Sequence, residues 1–260
     1  EGVRLNNIAL AAYKKRNYEK AIEGLQEAIP FYKKSNAHEV YVDKLLSLNV
    51  LLRYSGQYEA YFEYANRTVS EAKTLFGDQH AKYANALNNL NSYYFDKGDY
   101  RKSIELLKEA VRVKEANSAL PTDMAQVYSN LANSMTRVGD YKEALIYQEK
   151  ARSIYESQED KNPFKLVETY NAIAWNYDLQ NQSDIARAYY EKSLEIIESQ
   201  KTIKNLVEES IPTIRMYQGA TENAIKLNQL KDARKYINKA LSYQSSDEAF
   251  RKPLSLELSG

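Results

Sequence analysis

Lys97-Gly98-Asp99-Tyr100 decides the fold, because its Gly-x-Tyr pattern occurs three times at a fixed interval. Ser55-Gly56-Gln57-Tyr58 precedes it and Val138-Gly139-Asp140-Tyr141 follows, so the tyrosines recur at intervals of 42 and 41 residues (58 to 100 to 141). Working outward, Arg16-Asn17-Tyr18 lies one period earlier, and Asn181-Gln182-Ser183 and Asn228-Gln229-Leu230 carry the phase onward. In the last two, Ser183 and Leu230 replace the tyrosine and the glycine is lost. Three residues after the turn the chain has Ala21, Tyr61, Ser103, Ala144, Ala186 and Ala233, and seven further on it has Ala28, Thr68, Ala110, Ala151, Ser193 and Ala240. A fixed period of this length marks a repeat architecture. The array spans 3–245 as six units, 3–37, 38–78, 79–119, 120–161, 162–203 and 204–245. Residues 246–260 read as a C-terminal capping or linker helix leading to a segment outside this sequence.

Each unit reads as two amphipathic helices around a tight turn. Tyr83, Ala86, Leu87, Leu90, Tyr93 and Tyr94 follow the i, i+3, i+4, i+7 spacing of one buried helical stripe, and Ile104, Leu107, Ala110 and Val111 resume it beyond the turn. Glycine at the turn suits a left-handed helix C-terminus, and Asp99 or Asp140 beside it suits the next N-cap. His38, His80, Pro121, Pro163 and Asn205 fall in phase at the starts of first helices, where proline is tolerated because its absent N–H would be unpaired anyway. Small slots let helices approach to ~8–10 Å while Tyr, Leu and Ile fill the space between them. The expected fold is all-α, an α-solenoid coiled as a right-handed superhelix.

Composition closes off other classes. Gly 8 and Pro 5 make about 5% of 260 residues, against roughly 12% in average usage, too few turn residues for an all-β fold. A hydrophobic fraction of 43% is enough for a core. No apolar run reaches the ~18–20 residues of a membrane span. Lys+Arg 36 against Asp+Glu 35 leaves net +1, so neither nucleic acid nor an anionic membrane is the expected partner. Cys 0 removes disulfides, thiol nucleophiles and cysteine metal sites. The chain opens on Glu1 without an initiator Met, as in a processed protein or an excised fragment. The cytoplasm is the favoured compartment, with a removed signal peptide the alternative.

The pattern Leu90…Tyr94…Gly98-Asp99-Tyr100…Ala110, and again Leu131-Ala132…Gly139-Asp140-Tyr141…Ala144…Ala151, resembles the tetratricopeptide repeat. The usual unit is ~34 residues; here it is about a helical turn longer per helix. The run Phe76-Gly77-Asp78-Gln79-His80-Ala81-Lys82-Tyr83-Ala84-Asn85-Ala86-Leu87-Asn88-Asn89-Leu90 is similar to the long repeats of kinesin light chains and of bacterial proteins in which such an array precedes a caspase-like CHAT peptidase domain. The resemblance implies a non-catalytic scaffold that binds a peptide or a partner domain in a concave groove lined by the first helices. It also implies two alternatives, a regulatory arm for a catalytic domain of the same parent chain and a signalling-peptide receptor.

No catalytic constellation is present. His38 and His80 are the only histidines, one repeat apart, and read as capping residues; there is no phosphate-cradling loop, GxSxG or HExxH. No enzyme activity, cofactor or metal is expected. Tyr 23 is explained by packing slots such as Tyr18, Tyr58, Tyr100 and Tyr141, with rings buried and hydroxyls reaching out. Asparagine is the sharper signal, because it is a mediocre helix residue whose amide competes for backbone groups. Asn6, Asn7, Asn88, Asn89, Asn130 and Asn171 recur near one position of the first helices, with Asn133 a turn later. A carboxamide donates and accepts, so a row of them can pair with an extended peptide backbone; the bland alternative is bridging between helices. Trp175 shares its position with Leu10, Val50, Ser92 and Asn133. Lys14, Arg53, Arg137 and Lys226 close the same helices and would favour an acidic ligand, or serve as ordinary C-terminal cations.

Overall fold

The computed structural model describes residues 1–117, 120–158, 162–199 and 207–245, the side chains of 207–212 and 243–245 excepted. The helix expected over 246–260 lies outside the described residues. Twelve helices and no strand are present among the described residues. They pair in chain order: α1 (Gly2–Lys14) and α2 (Tyr18–Lys34), α3 (His38–Tyr54) and α4 (Tyr58–Phe76), α5 (Ala81–Asp96) and α6 (Tyr100–Ala116), α7 (Pro121–Arg137) and α8 (Tyr141–Ser157), α9 (Pro163–Leu179) and α10 (Ser183–Ser199), α11 (Val207–Lys226) and α12 (Leu230–Ser245). This is an all-α fold of the α-solenoid class, with about six helix–turn–helix units. The chain divides into two compact units, Glu1–Val138 and Gly139–Gly260, the division falling at the turn of the fourth repeat.

The turns are built from the backbone. Gly98 sits at φ +79, with its N–H bonded to the Phe95 carbonyl and the next N–H, of Asp99, bonded to the Tyr94 carbonyl. These are the two bonds of a Schellman close, which satisfies carbonyls the helix end would otherwise leave unpaired. Gly56 (φ +74) and Gly139 (φ +88) take the same region. Where glycine is lost, Asn181 (φ +59) and Asn228 (φ +57) stand in, and the Gln182 N–H reaches the Tyr177 carbonyl at 2.9 Å in the same pattern. Asparagine tolerates this region better than other side-chain-bearing residues. Asn17 and Asp99 then cap the following helices, accepting from the N–H of Lys20 and Lys102 at 3.0 Å.

In the first unit, α3 buries Tyr41, Leu45, Leu48 and Leu52, and α4, α6 and α7 bury Tyr61, Leu107, Leu131 and Met135. The predicted small slots Ala21, Ala28, Thr68, Ser103 and Ala110 are fully buried between helices. The turn tyrosines correct the expectation of buried rings. Tyr18 and Tyr100 are half-buried and Tyr58 is exposed, its ring covered on one side by the Lys97 ammonium at 5.3 Å. A first-turn residue lies at the rim of its hairpin, whereas Tyr61, one turn further in, is enclosed.

In the second unit, Ala144, Ala151, Ala174, Ala186, Ile173, Met216 and Tyr217 form the interior. Tyr190 packs so closely on α11 that a Cβ on Gly219 would lie 2.7 Å from its ring. The glycine-free turn of the fifth repeat is held by a polar cluster. Ser183 Oγ and Asn223 Nδ2 donate to the buried Asp178 Oδ1 at 2.8 and 3.1 Å, and Asn223 Nδ2 also reaches the Ser183 carbonyl at 2.8 Å.

Gly98→Val should lower stability by roughly 1–2 kcal/mol, because a β-branched residue is forced into the left-handed region. Nothing lies within 4 Å of the position a Cβ would take, so the cost is backbone strain alone. Gly98→Asn should recover most of the loss. Urea unfolding of both variants checks this, and equal midpoints would contradict it.

Candidate functional site

The first helices of the first unit, α1, α3, α5 and α7, carry most of the predicted residues. Counting back from the first residue of each following helix, Asn7, Ser47, Asn89 and Asn130 share one position, and Asn6, Leu46, Asn88 and Ser129 the one before it. The structure brings the amides of α5 and α7 together. Asn130 Nδ2 donates to Asn88 Oδ1 at 2.9 Å, and Gln126 Nε2 donates to Asn130 Oδ1 at 3.3 Å. Asn88, Asn89, Asn130 and Asn133 are all half-buried. Asn89 Oδ1 is buried and without a hydrogen-bond partner, while its backbone carbonyl accepts the Tyr61 hydroxyl at 2.6 Å. Burial pushes the Tyr61 phenol up to about 12, so it remains a donor. Asn88 and Asn130 are thus linked to each other across neighbouring repeats instead of standing free.

Two further asparagines belong to the packing. Asn49 Nδ2 donates to Thr68 Oγ1 at 3.0 Å, and Asn91 Oδ1 accepts from Ser103 Oγ at 2.9 Å, which in turn lies 2.7 Å from Ser134 Oγ. All five side chains are buried. They sit two or three residues beyond the half-buried row and tie α3 to α4 and α5 to α6 and α7.

On the same helices Asn6 is half-buried and Asn7 exposed. Eight residues before each second helix, Leu10 and Val50 are exposed where Ser92 and Asn133 stand half-buried, so this face is apolar along α1 and α3 and amide-rich along α5 and α7. Arg53 is already engaged: Nε donates to Asp96 Oδ2 at 2.6 Å and Nη2 to Oδ1 at 2.8 Å. Burial works to lower the Arg53 pKa, but the hydrogen bond to Asp96 and the charge of Asp96 with the neighbouring Tyr61 and Tyr54 together outweigh it, and the net shift is upward. The Arg137 guanidinium lies 6.0 Å above the Phe95 ring. In the second unit, Asn171 and Trp175 are half-buried on α9, Asn171 Oδ1 is buried without a partner, and Lys226 lies 3.5 Å from Asp178. His80 caps α5, its Nδ1 accepting from the Lys82 N–H at 3.1 Å, and His38 opens α3. Among the described residues no group of His, Cys, Asp or Glu could hold a metal, and no helix is long and apolar enough to cross a membrane.

The sequence pattern of the tetratricopeptide repeat matches residues 45–116 and 123–199, together more than half of the chain. The chain belongs to the tetratricopeptide-repeat family. Solved tetratricopeptide-type structures share its fold. BtubC (BKLC) from P. vanneervenii superposes with a TM-score of 0.74 at 14% identity, covering 90% of this chain and 93% of that one. A putative kinesin light chain of Podospora anserina with nearly identical TPR-like repeats gives 0.62 at 15%, covering 80% and 97%. The apo form of RapI gives 0.69 at 12%, covering 95% and 98%. Among curated proteins, the RxLR effector protein SFI4 of Phytophthora infestans is 26% identical over 179 residues, 65% of this chain. The chain spans about half the length of that relative (51%).

Within this repeat protein the Arg53–Asp96 pair ties first helix α3 to first helix α5, beside the Lys82–Asp43 pair between the same helices. A double-mutant cycle of Arg53→Met and Asp96→Asn should give a coupling of ~0.5–1 kcal/mol in stability, because the side chains are only partly screened by solvent. Raising ionic strength should shrink it. A coupling near zero at low salt would show that the geometry carries no energy.

Proposed function

We propose that this protein is a non-catalytic interaction scaffold that holds an extended peptide along the first-helix face of its first unit. A tetratricopeptide fold generally serves protein–protein interaction, and the observation that favours a peptide here is the linked amide row on α5 and α7. Within that row Asn130 engages both ends of its amide, donating to Asn88 and accepting from Gln126, while Asn88 spends only its oxygen. Asn88 accepts from Asn130, which leaves the Asn88 NH₂ to donate outward, and Asn133 stands half-buried one turn along. Anchoring amides to each other fixes their rotamers, so less side-chain entropy is lost when a ligand binds. Backbone-directed bonds from such a row grip any extended sequence, and side-chain preference then comes from the apolar end, Leu10 and Val50. The pairing of Arg53 with Asp96 removes one cation that an acidic ligand would need, so the proposed ligand is apolar and extended, with acidity incidental.

Selection of binders from a random peptide library, followed by calorimetry, tests the reading. Asn88→Ala and Asn133→Ala should each weaken binding by ~0.5–1.5 kcal/mol per hydrogen bond lost, about two- to twelve-fold, with unfolding midpoints little changed. Leu10→Glu should change which peptides are selected. Failure to select any peptide, or equal affinity of the wild type and the double amide variant, would overturn the proposal.

A further inference from the structure

Three positions of each first helix, twelve, eight and four residues before the following second helix, share one face and are never buried among the described residues. On α3 they are Leu46, Val50 and Tyr54, and α3 is the one described first helix in which all three are apolar. Leu46 is half-buried, Val50 is 40% exposed and Tyr54 is 66% exposed. On α5 the same positions hold Asn88, Ser92 and Asp96. Two ion pairs, Asp43–Lys82 at 2.5 Å and Arg53–Asp96 at 2.6 Å, tie α3 to α5 near either end of this stretch, so the two stripes run side by side. Each pair neutralises its own charges. The crease between α3 and α5 therefore has one apolar wall and one amide-bearing wall, without net charge.

The chain itself carries a sequence that fits such a crease. Beyond Pro253, outside the described residues, Leu254, Leu256 and Leu258 alternate with Ser255, Glu257 and Ser259. Strict alternation is the pattern of an extended segment with one apolar side, and the proline weighs against a helix running through it. Residues two apart in an extended chain stand ~6.7 Å from one another. Residues four apart on a helix stand ~6 Å apart along its axis. Three alternating leucines therefore keep step with Leu46, Val50 and Tyr54 to within roughly 1.5 Å over the whole stripe.

We propose, resting on the reading of this face as a peptide site, that residues 254–258 are its built-in ligand, extended in the crease between α3 and α5 with their leucines on the α3 stripe. Ser255 and Glu257 then fall on the far side of the segment, toward water, and the neutral crease faces only apolar side chains. The Asn88 NH₂, which Asn130 does not use, meets the backbone carbonyls of the segment. Nine residues lead from Ser245 to Leu254 and reach at most roughly 30 Å, so the segment serves its own molecule within that span and a second copy beyond it. Filled in this way, the face is closed to other peptides until the segment is displaced.

The chain has no cysteine, so engineered ones can pair only with each other. Val50→Cys combined with Leu256→Cys should form a disulfide under mild oxidation, read on a non-reducing gel. A monomer mass puts the segment on its own molecule and a dimer mass on a second copy; either supports the proposal. Glu63→Cys, exposed on α4, combined with Leu256→Cys sets the background. Adding Leu254→Glu and Leu258→Glu to the Val50→Cys pair should return it to that background. Without engineered cysteines, Leu254→Glu, Leu256→Glu and Leu258→Glu together should tighten binding of a library-selected peptide by about three-fold or more, because a tethered competitor is gone. Pairing at background, preferential pairing of Leu256→Cys with Leu241→Cys on α12, or equal affinity of the two chains overturns this proposal and leaves the peptide reading standing. If neither chain selects a peptide, the general reading falls and the disulfide alone decides this one.

Discussion

A helical hairpin has more apolar surface than it can cover by itself, and every feature of this protein follows from that shortage. Two helices joined by a short turn bury the stripe between them, but each second helix still carries an apolar strip on its far side. The next first helix covers it, and the cover must come close to exclude water. Close approach explains why the chain alternates Ala28, Thr68, Ala110, Ala151, Ser193 and Ala240 with large residues one turn away, and why Gly219 lies under Tyr190. Stability thus rests on the junctions between hairpins as well as on the hairpins themselves.

Much of this was legible in the sequence because it is periodic. The turn phase, the helix pairs and the small slots repeat at intervals of about 42 residues, and repetition separates a structural demand from an accident. Legibility failed where one chemistry serves two ends. Asparagine at Asn49 and Asn91 satisfies buried hydroxyls between helices, whereas Asn88 and Asn130 pair across the first-helix face. Two or three residues of helical phase separate these classes, and the identity of the residue says nothing of which side it takes. The stand-in of Asn181 and Asn228 for turn glycine was likewise hidden, since both were legible only as polar turn residues until their positive φ values placed them in the glycine role.

The cations show a second reason for the limit. Lysine and arginine near helix C-termini are expected from the helix dipole alone, so Arg53 and Lys226 carried little information on the page. Their partners, Asp96 and Asp178, lie more than a full repeat away in the chain and meet them only through packing. Long-range pairing of this kind has no local pattern, and it decides whether a charge is available to a ligand. The division of the contacts at Gly139 is similar in kind, for composition and period run through that turn without a break.

The position of the amides bears on what kind of recognition the first unit can support. A fully exposed asparagine row would be flexible and well hydrated, and a ligand would have to displace that water for little net gain. A fully buried row would have no free groups left. Asn88, Asn89 and Asn130 are between these limits, with rings of bonding that reach the backbone through Tyr61 and neighbouring repeats through one another. The Asn89 side-chain oxygen Oδ1, buried and unpaired, has lost its water without gaining a partner. An incoming donor that reached it would relieve a cost the folded protein already carries, worth ~1–3 kcal/mol by the usual penalty for a buried unsatisfied polar group. Replacing Asn89 by Leu, which removes that oxygen at similar volume, should therefore leave stability unchanged or raise it. The same replacement should lower affinity for a peptide that the wild type binds, and thermal melting beside calorimetry separates the two effects in a single variant.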